Sequence, residues 1–215
     1  NNIVKNILGI GISPFAMNAT ACLVAIFVNQ RLLEYGGDLA VGAYGIANRV
    51  AFIFVMITMG VNQGMQPIAG YNYGAQKYDR LMRVLMLAMI AGTCVTVTGF
   101  LVAEFIPHLC VGLFTGDADL TRLSVHGIRV MMAAMPIVGY QMVVTNFFQC
   151  IGKVKISIFL SLSRQLILLI PLLIVLPLRF NLDGVWAAVP TSDFTSAIIA
   201  GVFMFWYMRK FKRAV

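Results

Sequence analysis

The chain has 215 residues, of which 60% are hydrophobic and 11% charged, and its mean hydropathy is +0.88. A soluble domain carries about 25% charged residues, so we predict an all-α membrane protein in which lipid surrounds most side chains. The net charge of +8 does not indicate a nucleic-acid partner, because Lys and Arg form short clusters between apolar runs rather than a basic face with interleaved aromatics.

The apolar runs predict six transmembrane helices, since about 20 apolar residues cross a bilayer core of about 30 Å. In chain order, the predicted spans cover about 7–33, 41–70, 81–107, 121–149, 156–178 and 184–208. The connections between them are short, so consecutive helices should be antiparallel neighbours. Residues 1–215 are therefore expected to form one six-helix bundle that contacts membrane lipid.

Positive charge alternates between the predicted connections. One side of the membrane receives ten basic residues, namely Lys5, Lys77, Arg80, Arg83, Lys153, Lys155, Arg209, Lys210, Lys212 and Arg213. The opposite side receives three, Arg31, Arg122 and Arg179. Because cytoplasmic loops carry the excess of Lys and Arg, the pattern predicts a multi-pass protein of the cell membrane, an inner membrane in bacteria, with both ends in the cytoplasm.

One acidic side chain lies deep inside a predicted span. Asp193 is about nine residues into span six, and an ionisable residue at that depth usually faces a partner or a wet cavity. Arg49 lies at a similar depth from the same side, whereas Arg164 enters from the opposite face. Depth alone therefore favours an Asp193–Arg49 pair, with Arg164 as the second choice. Such a pair would either hold the bundle together or take part in gating or coupling.

Uncharged amides form a second set of polar residues in the spans. Facing lipid, each would leave donors and acceptors unpaired at a cost of several kcal/mol, so they must face other helices or a water-filled cleft. For any single amide, a hydrogen bond between helices is the simpler interpretation; for the set, a transport cleft is expected. The candidates are Asn18, Asn29, Gln63, Gln66, Gln141, Asn146 and Gln149.

Prolines mark candidate hinges within the spans. Each proline removes a helical hydrogen bond and favours a kink. The candidate hinge positions are Pro14, Pro67 and Pro136.

The sequence contains no pattern typical of catalysis or of a metal site. Its four cysteines are isolated and form no CxxC pair, and no phosphate-binding loop or nucleophile with a matching base is present. We therefore expect no enzyme activity, no metal and no cofactor. The chain begins with Asn1 rather than Met and has no cleavable signal pattern, which indicates a fragment or a processed chain.

Several segments together resemble the C-terminal lobe of a multidrug and toxic compound extrusion transporter. They are YGGDLAVGAYGIANR (35–49), NQGMQPIAGYNYGA (62–75), FQCIGK (148–153), RQLILLIPL (164–172) and LDGVWAAVPTSD (182–193). The resemblance covers nearly the whole chain. The five segments indicate this family when they occur together, whereas any one of them alone would be a weak signal.

The resemblance implies a twelve-helix transporter of two six-helix lobes with a cargo cleft between them. It implies antiport of small organic, often cationic, compounds against protons or sodium ions, with an N-terminal lobe as partner. Some members of that family bind the coupling cation through acidic residues in the first and fourth helices of this lobe. This chain has no carboxylate in span four and none in span one before Glu34. The coupling ion is therefore expected to bind mainly in the other lobe.

Two alternative functions remain open at this point. A lipid-linked saccharide flippase of the same superfamily should line its cleft with more cationic residues than Arg49, Arg129 and Arg164. A non-transporting assembly subunit of a membrane complex would leave Asp193 and the amide set without a purpose. The sequence favours the antiporter.

Overall fold

The computed structural model describes the backbone of residues 2–212 and the side chains of residues 19–209. Within residues 2–212 the chain is helical almost throughout and contains no strand, so the all-α prediction is confirmed. The helices are α1 (Asn2–Gly74), α2 (Tyr78–Phe105), the short α3 (Pro107–Gly112), α4 (Ala118–Met132), α5 (Met135–Cys150), α6 (Val154–Leu162) and α7 (Ile170–Lys212). A π-helical stretch, Ser163–Leu169, joins α6 to α7.

The two longest helices each contain one sharp break in the backbone. In α1, Gly37 has φ +67° and ψ −167°, a conformation that is essentially restricted to glycine. In α7, the break lies at Asn181, with φ +49° and ψ −128°. The helical hydrogen bonding continues up to each break, so the connections predicted at about 34–40 and 179–183 are much tighter than loops.

Three helical stretches in the described part of the chain are long and apolar enough to cross a membrane: Ala19–Gly74, Tyr78–Phe105 and Val154–Arg209. The pair α4 and α5 qualifies as a fourth if it counts as one span bent by 49°. The breaks at Gly37 and Asn181 divide the first and the last of these stretches. The six-span division agrees with the positions of these breaks and stays a prediction.

Two apolar clusters stabilise the bundle. The first cluster is built around Leu32, Ile128 and Trp186, and the second around Leu81 and Phe147, all of which are fully or almost fully buried. In lipid these side chains stabilise the bundle by close packing between helices rather than by removal from water. Many large apolar side chains remain exposed on the outside of the bundle, as expected for a surface that faces lipid.

Helices α2 and α5 cross at a close contact. A Cβ atom placed on Gly139 would lie 2.4 Å from Oγ1 of Thr96 and 2.6 Å from the carbonyl oxygen of Gly92. The backbones can approach this closely only because residue 139 has no side chain. The crossing fixes the position of α5, which carries three of the predicted amides.

Candidate functional site

A layer of buried polar side chains separates the two apolar clusters. In α1 it lies between Val50 of the first cluster and Met65 of the second, and in α7 between Trp186 and Ala200. The buried members of this polar layer are Thr58, Asn62, Thr96, Gln141, Ser163, Ser192, Asp193 and Ser196. The same order recurs in α2 around Thr96 and in α5 around Gln141, so the layer crosses the bundle at mid-height.

The polar layer is only partly satisfied by its own hydrogen bonds. The Nε2 atom of Gln141 donates to the hydroxyl of Ser196, but its Oε1 is buried without a partner among the described residues. Asn62 is 2% exposed, and neither atom of its amide has a partner in that part of the chain. Buried polar groups are nearly always hydrogen-bonded, by protein or by ordered water. Asn62 and Oε1 of Gln141 are therefore positions in this layer where a water molecule or another polar group would bind.

Beside this layer, a cavity of about 380 Å³ is lined mainly by amides and hydroxyls. Its lining residues are Ala21, Met59, Gln141, Met142, Thr145, Asn146, Gln149, Ser161, Arg164 and Gln165, and we call it the amide cavity. Three of the predicted cleft residues, Gln141, Asn146 and Gln149, meet here. A fourth, Gln66, donates through Nε2 to Oδ1 of Asn146 at 3.2 Å and so joins α1 to the same wall.

A second, smaller pocket of about 210 Å³ is mostly apolar. We call it the methionine pocket; its lining residues are Asn48, Ala51, Phe52, Val55, Met131, Met132, Met135, Val138, Arg164, Val189 and Asp193. Flexible, polarizable methionines adapt to irregular apolar groups. Arg164 lines both this pocket and the amide cavity.

The buried carboxylate is paired with Arg164. Nε of Arg164 lies 2.7 Å from Oδ1 of Asp193, and the exposed fractions of the two side chains are 33% and 7%. Arg164 is the second residue of the π-helical stretch, a feature that often occurs at functional sites. The carboxylate is thus deeply buried, whereas its partner reaches the cavity surface.

The sequence-based preference for Arg49 as the partner of Asp193 is wrong. Arg49 is exposed, and the helix presents its neighbour Asn48 to the methionine pocket instead. Depth in the membrane carries no information about which side of the helix Arg49 occupies. One residue of helix corresponds to a rotation of about 100°, which is enough to turn Arg49 away.

The remaining predicted site residues have different surroundings. Asn29 and Gln63 are exposed and are not among the residues lining either cavity, so their role in a cleft stays a prediction. The side chains of Asn18 and Pro14 lie outside the described residues. Pro136 is the second residue of α5, next to the 49° bend, whereas Pro67 lies inside α1, whose backbone is helical there.

Several residues of the site have no distinctive signal in the sequence. Hydroxyls such as Thr58, Thr96 and Thr145 bond to a carbonyl three or four residues earlier in their own helix. Because that bond satisfies the donor locally, a Thr or Ser can lie on any side of a membrane helix. Only the packing of the bundle reveals that these hydroxyls lie in the polar layer or line the amide cavity.

Comparison with known proteins adds independent information. A family model described as MatE matches residues 10–175. The chain is 27% identical over 183 residues to the multidrug export protein MepA of Staphylococcus aureus strain MSSA476, covering 85% of this chain and 40% of that protein. The MepA of Staphylococcus haemolyticus is 28% identical over 202 residues, covering 92% of this chain and 43% of that protein.

Solved structures of MATE transporters are also similar to this chain. The MATE multidrug transporter DinF-BH, solved as a complex, is 35% identical with a TM-score of 0.82, and the match covers 95% of this chain and 46% of that one. A MATE structure in complex with MaL6 is 17% identical with a TM-score of 0.90, covers 99% of this chain and 48% of the other, and supports the fold alone. The chain spans about half the length of the relatives it matches, in agreement with one lobe of a two-lobe transporter.

Proposed function

The chain belongs to the MatE family, and on that basis we propose that it forms one lobe of a secondary active multidrug antiporter in the cell membrane. The amide cavity is the observation that carries this proposal. Its amides and hydroxyls can bind varied organic cargo by hydrogen bonds, and the charge of its one ionisable lining residue, Arg164, is paired with Asp193. The names of the relatives, a multidrug export protein and a multidrug transporter, support the same function.

Under this proposal the cargo is a small organic compound, often cationic, exchanged for protons or sodium ions. The cargo binds in the amide cavity, on the side of this lobe that faces an N-terminal lobe, and the coupling ion binds mainly in that other lobe. Both ends of the chain lie in the cytoplasm, as the asymmetric distribution of Lys and Arg predicts. Bending at Pro136, beside the break between α4 and α5, contributes to alternating access.

The proposal is tested by energised efflux of a fluorescent organic cation from cells that express the two-lobe transporter. A protonophore and an exchange of external sodium collapse the two ion gradients separately. We expect efflux to stop when one gradient is removed, which identifies the coupling ion. Absence of efflux despite confirmed membrane insertion would contradict the multidrug proposal and favour a lipid-linked saccharide cargo.

A matched pair of variants links efflux to the cavity. Gln149→Leu removes an amide that lines the amide cavity, whereas Gln30→Leu makes the same change at an exposed position that lines neither cavity. A hydrogen bond contributes about 0.5–1.5 kcal/mol, so Gln149→Leu should raise the apparent KM about two- to tenfold. Equal kinetics of the two variants would argue against the cavity as the cargo site.

A further inference from the structure

The amide cavity and the methionine pocket follow one another along a single side of α1. Asn48, Phe52 and Val55 line the methionine pocket, and Met59 lines the amide cavity. Their spacing of three or four residues keeps all four on one side of the helix. From Phe52 to Met59 the helix rises about 10 Å. The two cavities are therefore consecutive compartments along the height of the lobe.

Arg164 stands where the two compartments meet. It lines both, and a third of its side chain is exposed. Its partner Asp193 lines only the methionine pocket and is almost fully buried. A molecule that entered the methionine pocket from the amide cavity would therefore meet the guanidinium before the carboxylate.

The height of this pair in the bundle strengthens the argument. Arg164 is ten residues after the start of α6, and Asp193 is twelve residues after the break at Asn181, which places them about 15 Å and about 18 Å from the two ends. Both charges therefore lie near the middle of a bilayer core of about 30 Å. Water screens charges least at this depth, so an unpaired guanidinium would act strongly on a charged cargo.

We propose that Arg164 is a charge filter on the cargo path and that Asp193 is the positioning residue that neutralises it, so that organic cations can pass between the two compartments. This inference rests on the proposed transport function. With the pair intact, the filter is close to neutral and admits cationic and uncharged cargo alike. Without the carboxylate, the guanidinium repels a cation but has little effect on a molecule of zero net charge.

The experiment measures binding of two dyes that share one ring system, using the two-lobe protein in lipid nanodiscs. One dye is an esterified rhodamine, a monocation; the other is the corresponding free acid, a zwitterion of zero net charge. The measured quantity is the ratio of the two dissociation constants. The ratio separates charge selectivity from a general loss of folded protein, because such a loss would weaken the binding of both dyes equally.

Three variants define the expected outcome. Asp193→Asn should weaken binding of the cation relative to the zwitterion by about tenfold or more, because like charges a few Å apart at this depth repel strongly. Arg164→Gln, which leaves the carboxylate unpaired, should shift the ratio in the opposite direction. The double variant Arg164→Gln with Asp193→Asn removes both charges and should return the ratio to within about twofold of the unsubstituted protein.

The control makes the same carboxylate-to-amide change at an exposed hydrogen bond. Asp183 contacts His126 at 2.9 Å, and their side chains are 72% and 53% exposed. Asp183→Asn should leave the ratio unchanged. A ratio that stays constant in Asp193→Asn would overturn the filter. So would a double variant whose ratio is shifted as far as that of Asp193→Asn alone, or a protein that binds neither dye. Normal selectivity in binding without any efflux would instead contradict the proposed transport function.

Discussion

Replacing Gly139 by alanine should destabilise the bundle by separating α2 from α5. The added methyl group would lie 2.4 Å from Oγ1 of Thr96 and 2.6 Å from the carbonyl oxygen of Gly92. Carbon and oxygen atoms of neighbouring helices normally approach to about 3.3–3.6 Å. The methyl group meets backbone, which cannot rotate away as a side chain can. The two helices must therefore move apart by about 1 Å.

The expected cost follows from this geometry. Overpacking of a well-packed interior costs about 1–3 kcal/mol, and a clash with backbone belongs at the upper end of that range. The gain in helix propensity from glycine to alanine offsets at most about 1 kcal/mol. We therefore expect Gly139→Ala to lower the free energy of unfolding by about 2 kcal/mol. Because α5 also carries Gln141, Asn146 and Gln149, the same displacement should weaken binding of cargo.

The assay is reversible unfolding in mixed micelles, followed by circular dichroism as the denaturing detergent is increased. Gly60→Ala is the matched control, because no atom lies within 4 Å of the methyl group that this change would add to α1. This control should be neutral or slightly stabilising, by up to about 1 kcal/mol. Equal unfolding free energies for the two variants would refute the close crossing of α2 and α5.

Three further substitutions test separate features by the same unfolding assay. Gly37→Ala should destabilise the bundle by about 1–3 kcal/mol, because φ +67° with ψ −167° is strained for any residue with a Cβ; an unchanged unfolding free energy would contradict the break at this position. Asn181→Gly should stabilise it by up to about 1 kcal/mol by relieving the positive φ of +49°, and a destabilised variant would show that the Asn side chain is needed there. His126→Ala should change the unfolding free energy by less than about 1 kcal/mol, because its contact with Asp183 is exposed; a larger loss would mean that this pair holds α4 to α7.

The composition and the lengths of the apolar runs were sufficient to predict the all-α membrane fold. A helix that spans lipid needs a long apolar run and satisfies its backbone hydrogen bonds within itself. Such runs are visible in the local sequence, without knowledge of how the helices pack. The breaks at Gly37 and Asn181 were less predictable. In lipid, no water is available to pair with backbone groups that leave a helix. The helices therefore continue almost to Gly37 and Asn181, and each connection predicted as a loop is a break at one residue.

The site was predictable in residue type and only partly in arrangement. Gln141, Asn146 and Gln149 recur on one side of α5, so their meeting in one cavity follows from helical spacing. The partner of Asp193 did not follow, because the choice between Arg49 and Arg164 depends on how α1 and α7 are rotated in the bundle. The hydroxyls of the polar layer were also missed, since most of them, Ser196 excepted, bond to a carbonyl of their own helix.

The central claim, that cargo binds in the amide cavity, is tested most directly by protection of a cysteine placed in its wall. In a background with the four native cysteines replaced, Thr145→Cys lies in the cavity, and Ala75→Cys lies in the exposed turn after α1 as a control. The rate of alkylation of each is measured with and without a saturating organic cation. The account predicts that cargo slows alkylation at position 145 about tenfold or more, since bound cargo excludes reagent from a cavity of this kind, and leaves position 75 unaffected. Unchanged alkylation at position 145 while the dye remains bound would contradict it.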